Sequence, residues 1–391
     1  MLSIGIFTYS SKPRGSVVHA ACLAEALQRQ GAQVTLYALS KPGDAFYRPV
    51  SCALRLIPAA AAPPEVDALI AQRIAEFCTG IESLGARHAI CHAEDCLAAN
   101  ALAVTKRTLA AAAIVRTVHH VEHFESPYLM ACQERSVSSA DLVLSVSRAT
   151  QREVRVAFGR EAPVVSNGVD LARFAAASSI DRERVRERLG VQPGEPLILS
   201  VGGVEMRKNS LRALAAVRRA FVRQPTLRWV IAGGASIFEH ESYRAEFAAQ
   251  LAALPEALRA RISILGTIPE AELTQLYRAC DVLLCPSLHE GFGLCVLEAM
   301  AAGSAVIVPR GAPFDEYLDD SCACFVDAQS SADIARGLCR VLDDEPQRER
   351  WAAAALARVQ RFSWDQVAEH HLAHYQALLS GARAVASAAP R

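Results

Sequence analysis

Short apolar runs alternate with longer amphipathic segments from one end of this chain to the other, and that alternation leaves few folds open. Runs at residues 4–9, 33–38, 89–92, 114–118 and 142–146 have the length and composition of buried strands. A second series follows at 196–201, 228–232, 262–265, 282–285 and 305–308. Between them lie helical patterns such as 17–30, which stops at Gly31. Parallel strands need crossovers of a dozen or more residues, so the spacing predicts α/β units in which parallel sheets are flanked by helices. At 391 residues the chain is too long for one typical core, and two domains are expected. The turn signal Asn167-Gly168, followed by a polar stretch to Glu195, puts the seam near residue 170. In open α/β sheets ligands bind beyond the C-terminal strand ends, so two facing Rossmann-like domains would share a cleft.

Composition narrows the function. With 52% hydrophobic and 21% charged residues and a net charge of +0, the chain is neither disordered nor marked by the basic footprint of a nucleic-acid binder. The twelve cysteines are scattered, without C-x-x-C, and read as reduced thiols of a cytoplasmic protein. No basic leader or uninterrupted apolar span is seen: residues 97–115 are broken by Lys106 and Arg107. The charged helix at 181–189 has mixed signs and reads as a solvated face, which leaves peripheral membrane contact open.

One stretch carries more chemistry than structure alone needs. After the strand ending at Cys285, Glu290 sits on a loop, Gly291 and Gly293 allow close backbone approach, and a helix from Leu294 ends at Gly303 with Glu298 on it. The free N–H groups of that helix start suit a phosphate, and the two carboxylates suit neutral hydroxyls, as on a ribose and a sugar. Together they suggest a nucleotide sugar. An ordinary strand-loop-helix with two surface glutamates is the competing reading. A second glycine turn, Gly202-Gly203, is followed by the basic pair Arg207-Lys208, where an ammonium could offset a leaving diphosphate.

The E-x7-E spacing of Glu290 and Glu298, with Gly291-Phe292-Gly293 between and Glu298-Ala299-Met300-Ala301 after, resembles the signature of family four retaining glycosyltransferases. The resemblance covers nearly the whole chain. It includes the Asn167-Gly168-Val169-Asp170 linker with Phe174, and a closing segment from Arg361 to Tyr375. It implies the GT-B fold, with an acceptor domain at 1–170, a donor domain at 171–360 and a helix at 361–381 crossing back to the first domain; residues 382–391 are alanine-rich, lack turn or core signals and read as a frayed tail. It implies transfer of a sugar, a hexose by preference, from a nucleoside-diphosphate sugar to a hydroxyl acceptor of unknown identity, with no metal or other cofactor.

The resemblance also assigns residues. Glu290 would lie by the transferred sugar, Gly291, Phe292, Gly293, Leu294 and Cys295 would offer backbone N–H groups to sugar and diphosphate, and Glu298 would bind the ribose. Lys208 takes the place of the family's catalytic lysine, while the usual arginine is Gly203, which leaves Arg207 as the alternative phosphate contact. Gly15, in the loop 11–19 after the first strand, stands at one of a pair of phosphate-side glycines, and the second is Ser16. His119 falls where the family has a histidine close to the transferred sugar. Its i, i+4 partner His123 raises zinc, but there is no H-E-x-x-H pattern. Residues 91–95 resemble an H-A-H-D strand end, with acceptor contacts or structural hydrogen bonds both open, and His19 is either cleft-facing or packed. Thr267, after the strand 262–265, matches the loop beneath the nucleotide base. No D-x-D occurs. A nucleotide-sugar epimerase of the same fold and a non-catalytic nucleotide-sugar binder are the alternatives.

Overall fold

The computed structural model describes residues 1–107, 109, 113–175, 179–234 and 241–388, with the side chains of 179–180 and those beyond 381 left undescribed. The chain divides into two units, one comprising Met1–Gly168 and the segment from Trp364 on, the other Val169–Ser363. Each is built on one six-stranded, all-parallel sheet.

In the first unit, strands β1 (Ser3–Thr8), β2 (Gln33–Ser40), β3 (Ala53–Pro58), β4 (Ile90–Ala93), β5 (Ala113–Val118) and β6 (Leu142–Ser145) lie in the order β3-β2-β1-β4-β5-β6. The central strands are buried along almost their whole length, as a sheet covered on both faces requires. In the second unit, β7 (Leu197–Val201), β8 (Arg228–Ala232), β9 (Ile262–Gly266), β10 (Val282–Leu284), β11 (Ala305–Pro309) and β12 (Cys324–Val326) take the order β12-β11-β10-β7-β8-β9. Renumbered within its unit, that is the same winding. Both sheets therefore reverse direction between their first and fourth strands, β1 and β4 in one and β7 and β10 in the other. Crossovers leaving these neighbours run to opposite sides and open a crevice at their C-terminal ends.

Ten strands fall where the apolar runs place them, and the two that sequence patterning misses are both at sheet edges. β3 carries Arg55 and a terminal Pro58 and buries only Ile57 fully, so it has no clear alternation. β12 is three residues long, too short to show a period. The helix after β1 spans Gly15–Arg29 and starts two residues before the apolar pattern does, which makes Gly15 its first residue.

The last helix, Trp364–Ala388, packs on the first unit along the Gly15–Arg29 helix and continues beyond residue 381, where the sequence reading expects fraying; residues 389–391 lie outside the described residues. Its fully buried Tyr375 places its hydroxyl 2.6 Å from His92 Nδ1, deep under β4. Arg29 and Asp365 pair at 2.7 Å on the exposed side of the same contact. Among the described residues no helix is long and apolar enough to cross a membrane.

Because Tyr375 fills core volume and partners a buried imidazole, Tyr375→Ala is expected to cost about 3–5 kcal/mol and Tyr375→Phe only about 1 kcal/mol. Urea titrations followed by circular dichroism measure both; equal midpoints for the two variants would contradict this role.

Candidate functional site

In the second unit the site is assembled where β7 and β10 end. After Val201 the chain turns through Gly202 and Gly203, whose N–H groups both donate to Ala232 O at the end of β8, at 2.8 and 3.0 Å. Gly203 has φ +80°, and a Cβ there would lie 2.8 Å from Gly233 O. No side chain fits, so an arginine at this position would require a different path for the loop. Arg207 and Lys208 follow four and five residues on.

Lys208 Nζ donates to Glu290 Oε1 at 2.6 Å, Ser287 Oγ donates to the same oxygen at 2.8 Å, and Arg207 reaches Glu290 Oε2 at 3.2 Å. Burial by itself would raise the Glu290 pKa, but the ammonium and guanidinium outweigh it and bring the carboxyl down to about 2. Lys208 is driven the other way: burial disfavours its charge, Glu290 more than restores it, and its pKa rises above the ordinary lysine range. Two basic groups meet one carboxylate here, and Glu205, 3.6 Å from Arg207, adds a second carboxylate, so the four formal charges balance. Arg207 precedes the helix Ser210–Ala220, and its side chain is 37% exposed.

Asn209, which the sequence reading does not single out, fixes this geometry. It holds φ +60°, and its side-chain amide donates to Pro286 O at 3.0 Å and Ala328 O at 2.7 Å. The left-handed backbone turns the loop so that Lys208 lies over the end of β10, and the amide ties it to the segments after β10 and β12. Sequence offers only a weak signal for this: asparagine tolerates that conformation better than other non-glycine residues.

Gly291, Phe292 and Gly293 lead into the helix Leu294–Ala301. Phe292 stacks on Tyr317 at 4.9 Å, and the Tyr317 hydroxyl donates to Phe292 O at 2.9 Å, so aromatic packing anchors the loop. Gly293 is the N-cap with φ +97°, and a Cβ there would meet Phe314 at 2.8 Å. Leu294 and Cys295 occupy the first turn, where N–H groups have no intrahelical partner and the helix dipole favours an anion.

One turn on, Glu298 accepts a 2.6 Å hydrogen bond on Oε2 from the Tyr277 hydroxyl. Burial raises its carboxyl to about 7, against the lowering effect of that bond. Tyr277 itself is raised well above the ordinary phenol range and stays a donor. The sequence alone does not reveal Tyr277, because its partner is twenty-one residues away. Thr267 follows β9, at the edge of the sheet, and is exposed. A cavity of about 580 Å³ opens beside Glu290, lined by Ser287, Leu288, Arg310, Phe325 and Asp327 among others.

In the first unit, Gly15 opens its helix with no side-chain cap from Arg14 and nothing within 4 Å of where a Cβ would stand, so packing does not demand the glycine. His119 follows β5, off any helix, and His123 is exposed, so the two do not form a helical zinc pair. Its Nε2 lies 3.0 Å from Glu94 Oε2. His19 is fully buried and packed with its Nδ1 3.0 Å from the same oxygen. The nitrogens of these two histidines and the carboxylate lie within 4.8 Å of one another, a donor set that could hold a metal ion. Of the 91–95 segment, His92 bonds Tyr375 and Thr117, while Asp95 caps the helix Cys96–Thr105 and accepts from Tyr9 N, which are structural roles.

Comparison with known proteins gives matching patterns on both units. The pattern of Glycosyltransferase Family 4 matches residues 13–173, and that of Glycosyl transferases group 1 matches residues 181–358. A D-inositol 3-phosphate glycosyltransferase of Nocardia farcinica is 30% identical over 263 residues, which are 64% of this chain and 56% of that protein. One of the same name from Corynebacterium diphtheriae is 27% identical over 386 residues, 91% of this chain and 88% of that protein. The chain thus spans little more than half the length of the first relative.

Among solved structures, Anabaena HepE in complex with UDP and glucose superposes with a TM-score of 0.80 at 20% identity, covering 96% of this chain and 100% of that one. WaaG, a glycosyltransferase involved in lipopolysaccharide biosynthesis, superposes with a TM-score of 0.71 at 17% identity, covering 94% and 98%. At these identities the likeness shows the fold. With one half of the family's pattern on each of two sheets wound alike, the chain belongs to glycosyltransferase family four and has the GT-B fold.

Proposed function

We propose that this protein transfers a sugar, with retention of configuration, from a nucleoside-diphosphate sugar to a hydroxyl acceptor. The observation that carries the reading is the Lys208–Glu290–Arg207 group. It sets two basic side chains on one carboxylate, beside a helix start that offers backbone donors. Such an arrangement suits the charge that develops as the bond from the sugar's anomeric carbon to the diphosphate breaks and its electron pair passes to the leaving oxygen. The acceptor hydroxyl attacks from the same face, and its proton goes to the departing phosphate oxygen.

Glu290, with a pKa near 2, is neither a proton donor nor free to act as a base of ordinary strength. Its second oxygen remains an acceptor for a sugar hydroxyl, and Glu298 serves the ribose. A covalent sugar on either carboxylate is not needed. Lys208, Arg207 and the N–H groups of Gly293 to Cys295 neutralise the diphosphate in place of a divalent ion. For the remaining residues the proposed roles are backbone N–H to phosphate for Gly15, the base for Thr267 and the sugar for His119.

The test is turnover of uridine-, guanosine- and adenosine-diphosphate sugars, with and without hydroxyl acceptors, in EDTA. The expected product is a glycoside with the donor's anomeric configuration, formed only with acceptor. Consumption of donor without acceptor indicates the epimerase, and saturable binding with no turnover indicates a binding protein. Lys208→Ala is expected to lower kcat by about 100-fold or more while the protein remains folded by circular dichroism. Near-normal turnover would remove Lys208 from the mechanism.

Glu298 supplies a pH signature. A hydroxyl binds a carboxylate better than a carboxylic acid, and Glu298 titrates near 7. Affinity for the donor sugar nucleotide is expected to rise from pH 6 to pH 8 and to become flat across that range in Glu298→Gln. Isothermal titration calorimetry measures both; an unchanged slope in the variant would assign the titration elsewhere.

A further inference from the structure

Two cysteines meet at the base of the loop that carries Glu290. Cys285 follows β10, where its N–H donates to Ile307 O at 2.9 Å, and Cys295 is the second residue of the helix Leu294–Ala301. Their sulfurs lie 3.9 Å apart. The two residues are nearly but not wholly buried, at 5% and 7% exposure. Ser287 Oγ lies 3.5 Å from the Cys285 sulfur and 2.8 Å from Glu290, and both Ser287 and Glu290 line the cavity of about 580 Å³. A small oxidant in that cavity is one side chain away from the pair.

The thiolate is the nucleophile in thiol oxidation. A hydrogen bond from Cys295, with help from Lys208 and Ser287, holds the Cys285 thiol below its ordinary range against the effect of burial, whereas Cys295 is held well above it. Cys285 is thus the attacking sulfur and Cys295 the resolving one. With hydrogen peroxide, the Cys285 thiolate takes one oxygen and hydroxide leaves, giving a sulfenic acid. The Cys295 sulfur then attacks the Cys285 sulfur, and its proton leaves with the sulfenic hydroxyl as water. Two thiols lose two electrons in all, and one peroxide becomes two waters.

The new bond would close residues 286–294 into a ring that holds Ser287, Glu290, Gly291 and the N-cap Gly293. Sulfurs in a disulfide are about 2.05 Å apart, so the pair has to draw together by roughly 2 Å. β10 is paired on both sides, with β7 and β11, so the helix start is the freer partner. Its N–H groups and Glu290 then shift together, and a misplacement of about 1 Å can cost on the order of 100-fold in rate.

We propose that Cys285 and Cys295 are a reversible oxidation site, a dithiol that peroxide converts to a disulfide and that disables the loop spanned by the pair. The effect on turnover rests on the reading of that loop as the donor side; formation of the bond does not. The test treats the reduced full-length protein with hydrogen peroxide, blocks the remaining thiols and maps disulfides by mass spectrometry after chymotrypsin, which cuts at Phe292 between the two cysteines. The expected product is a Cys285–Cys295 cross-link. Turnover of the nucleotide sugar is expected to fall by about tenfold or more and to return with dithiothreitol. Cys285→Ser is expected to keep its turnover through the same treatment. Cys295→Ser is expected to stop at the sulfenic acid, trapped by dimedone on Cys285.

Absence of the cross-link once the peroxide is consumed overturns the proposal. So does a cross-linked protein with unchanged turnover and an unchanged Kd for nucleoside diphosphates, or inactivation that persists in Cys285→Ser and so belongs to another cysteine. If the reduced protein turns over no nucleotide sugar, the functional reading fails, while the mapped cross-link and its effect on the nucleoside-diphosphate Kd still decide the oxidation site.

Discussion

A parallel sheet must return its chain to the starting edge after every strand, and most of this protein follows from that constraint. Each return is a helical crossover, the crossovers cover both faces, and the central strands become continuous apolar runs such as Ile4 to Phe7. All loops that follow strands then open at one edge. Where the winding reverses, between β7 and β10, the loops diverge and leave room for a ligand, and Lys208 and Glu290 come from those two strand ends.

The Lys208–Glu290 pair shows why such a site has to be made with several groups at once. A carboxylate taken out of water costs several kcal/mol unless its charge is compensated. Here one oxygen has an ammonium and a hydroxyl and the other a guanidinium. The first unit solves the same problem at Glu94 with three imidazoles. The outcomes differ because of the partners. The partners of Glu290 are fixed cations, whereas those of Glu94 are imidazoles, whose charge is not fixed.

Much of the fold and part of the site were legible in the sequence. Ten strands have apolar runs of their own, and the helix start at Leu294 is announced by the glycines before it. β3 and β12 were not legible, because an edge strand is half-exposed or short and its pairing is supplied by a neighbour distant in sequence. Asn209, Tyr277 and Glu94 were missed as site residues for a related reason. Each acts through partners distant in sequence, among them Pro286 for Asn209, Glu298 for Tyr277 and His119 for Glu94, at least twenty-one residues away. Nothing in local spacing marks such a pair.

By itself the sequence determined the class of fold, the two-unit organisation and the loop with Glu290 and Glu298, because those depend on periodicity and on residues close together in the chain. Only the tertiary structure decided which charges face one another. It made Gly203 a position where no side chain fits and put Arg207 on Glu290. It also turned His19 inward as a partner of Glu94. Ionisation depends on distance and burial, and both are settled when strands far apart in sequence end side by side.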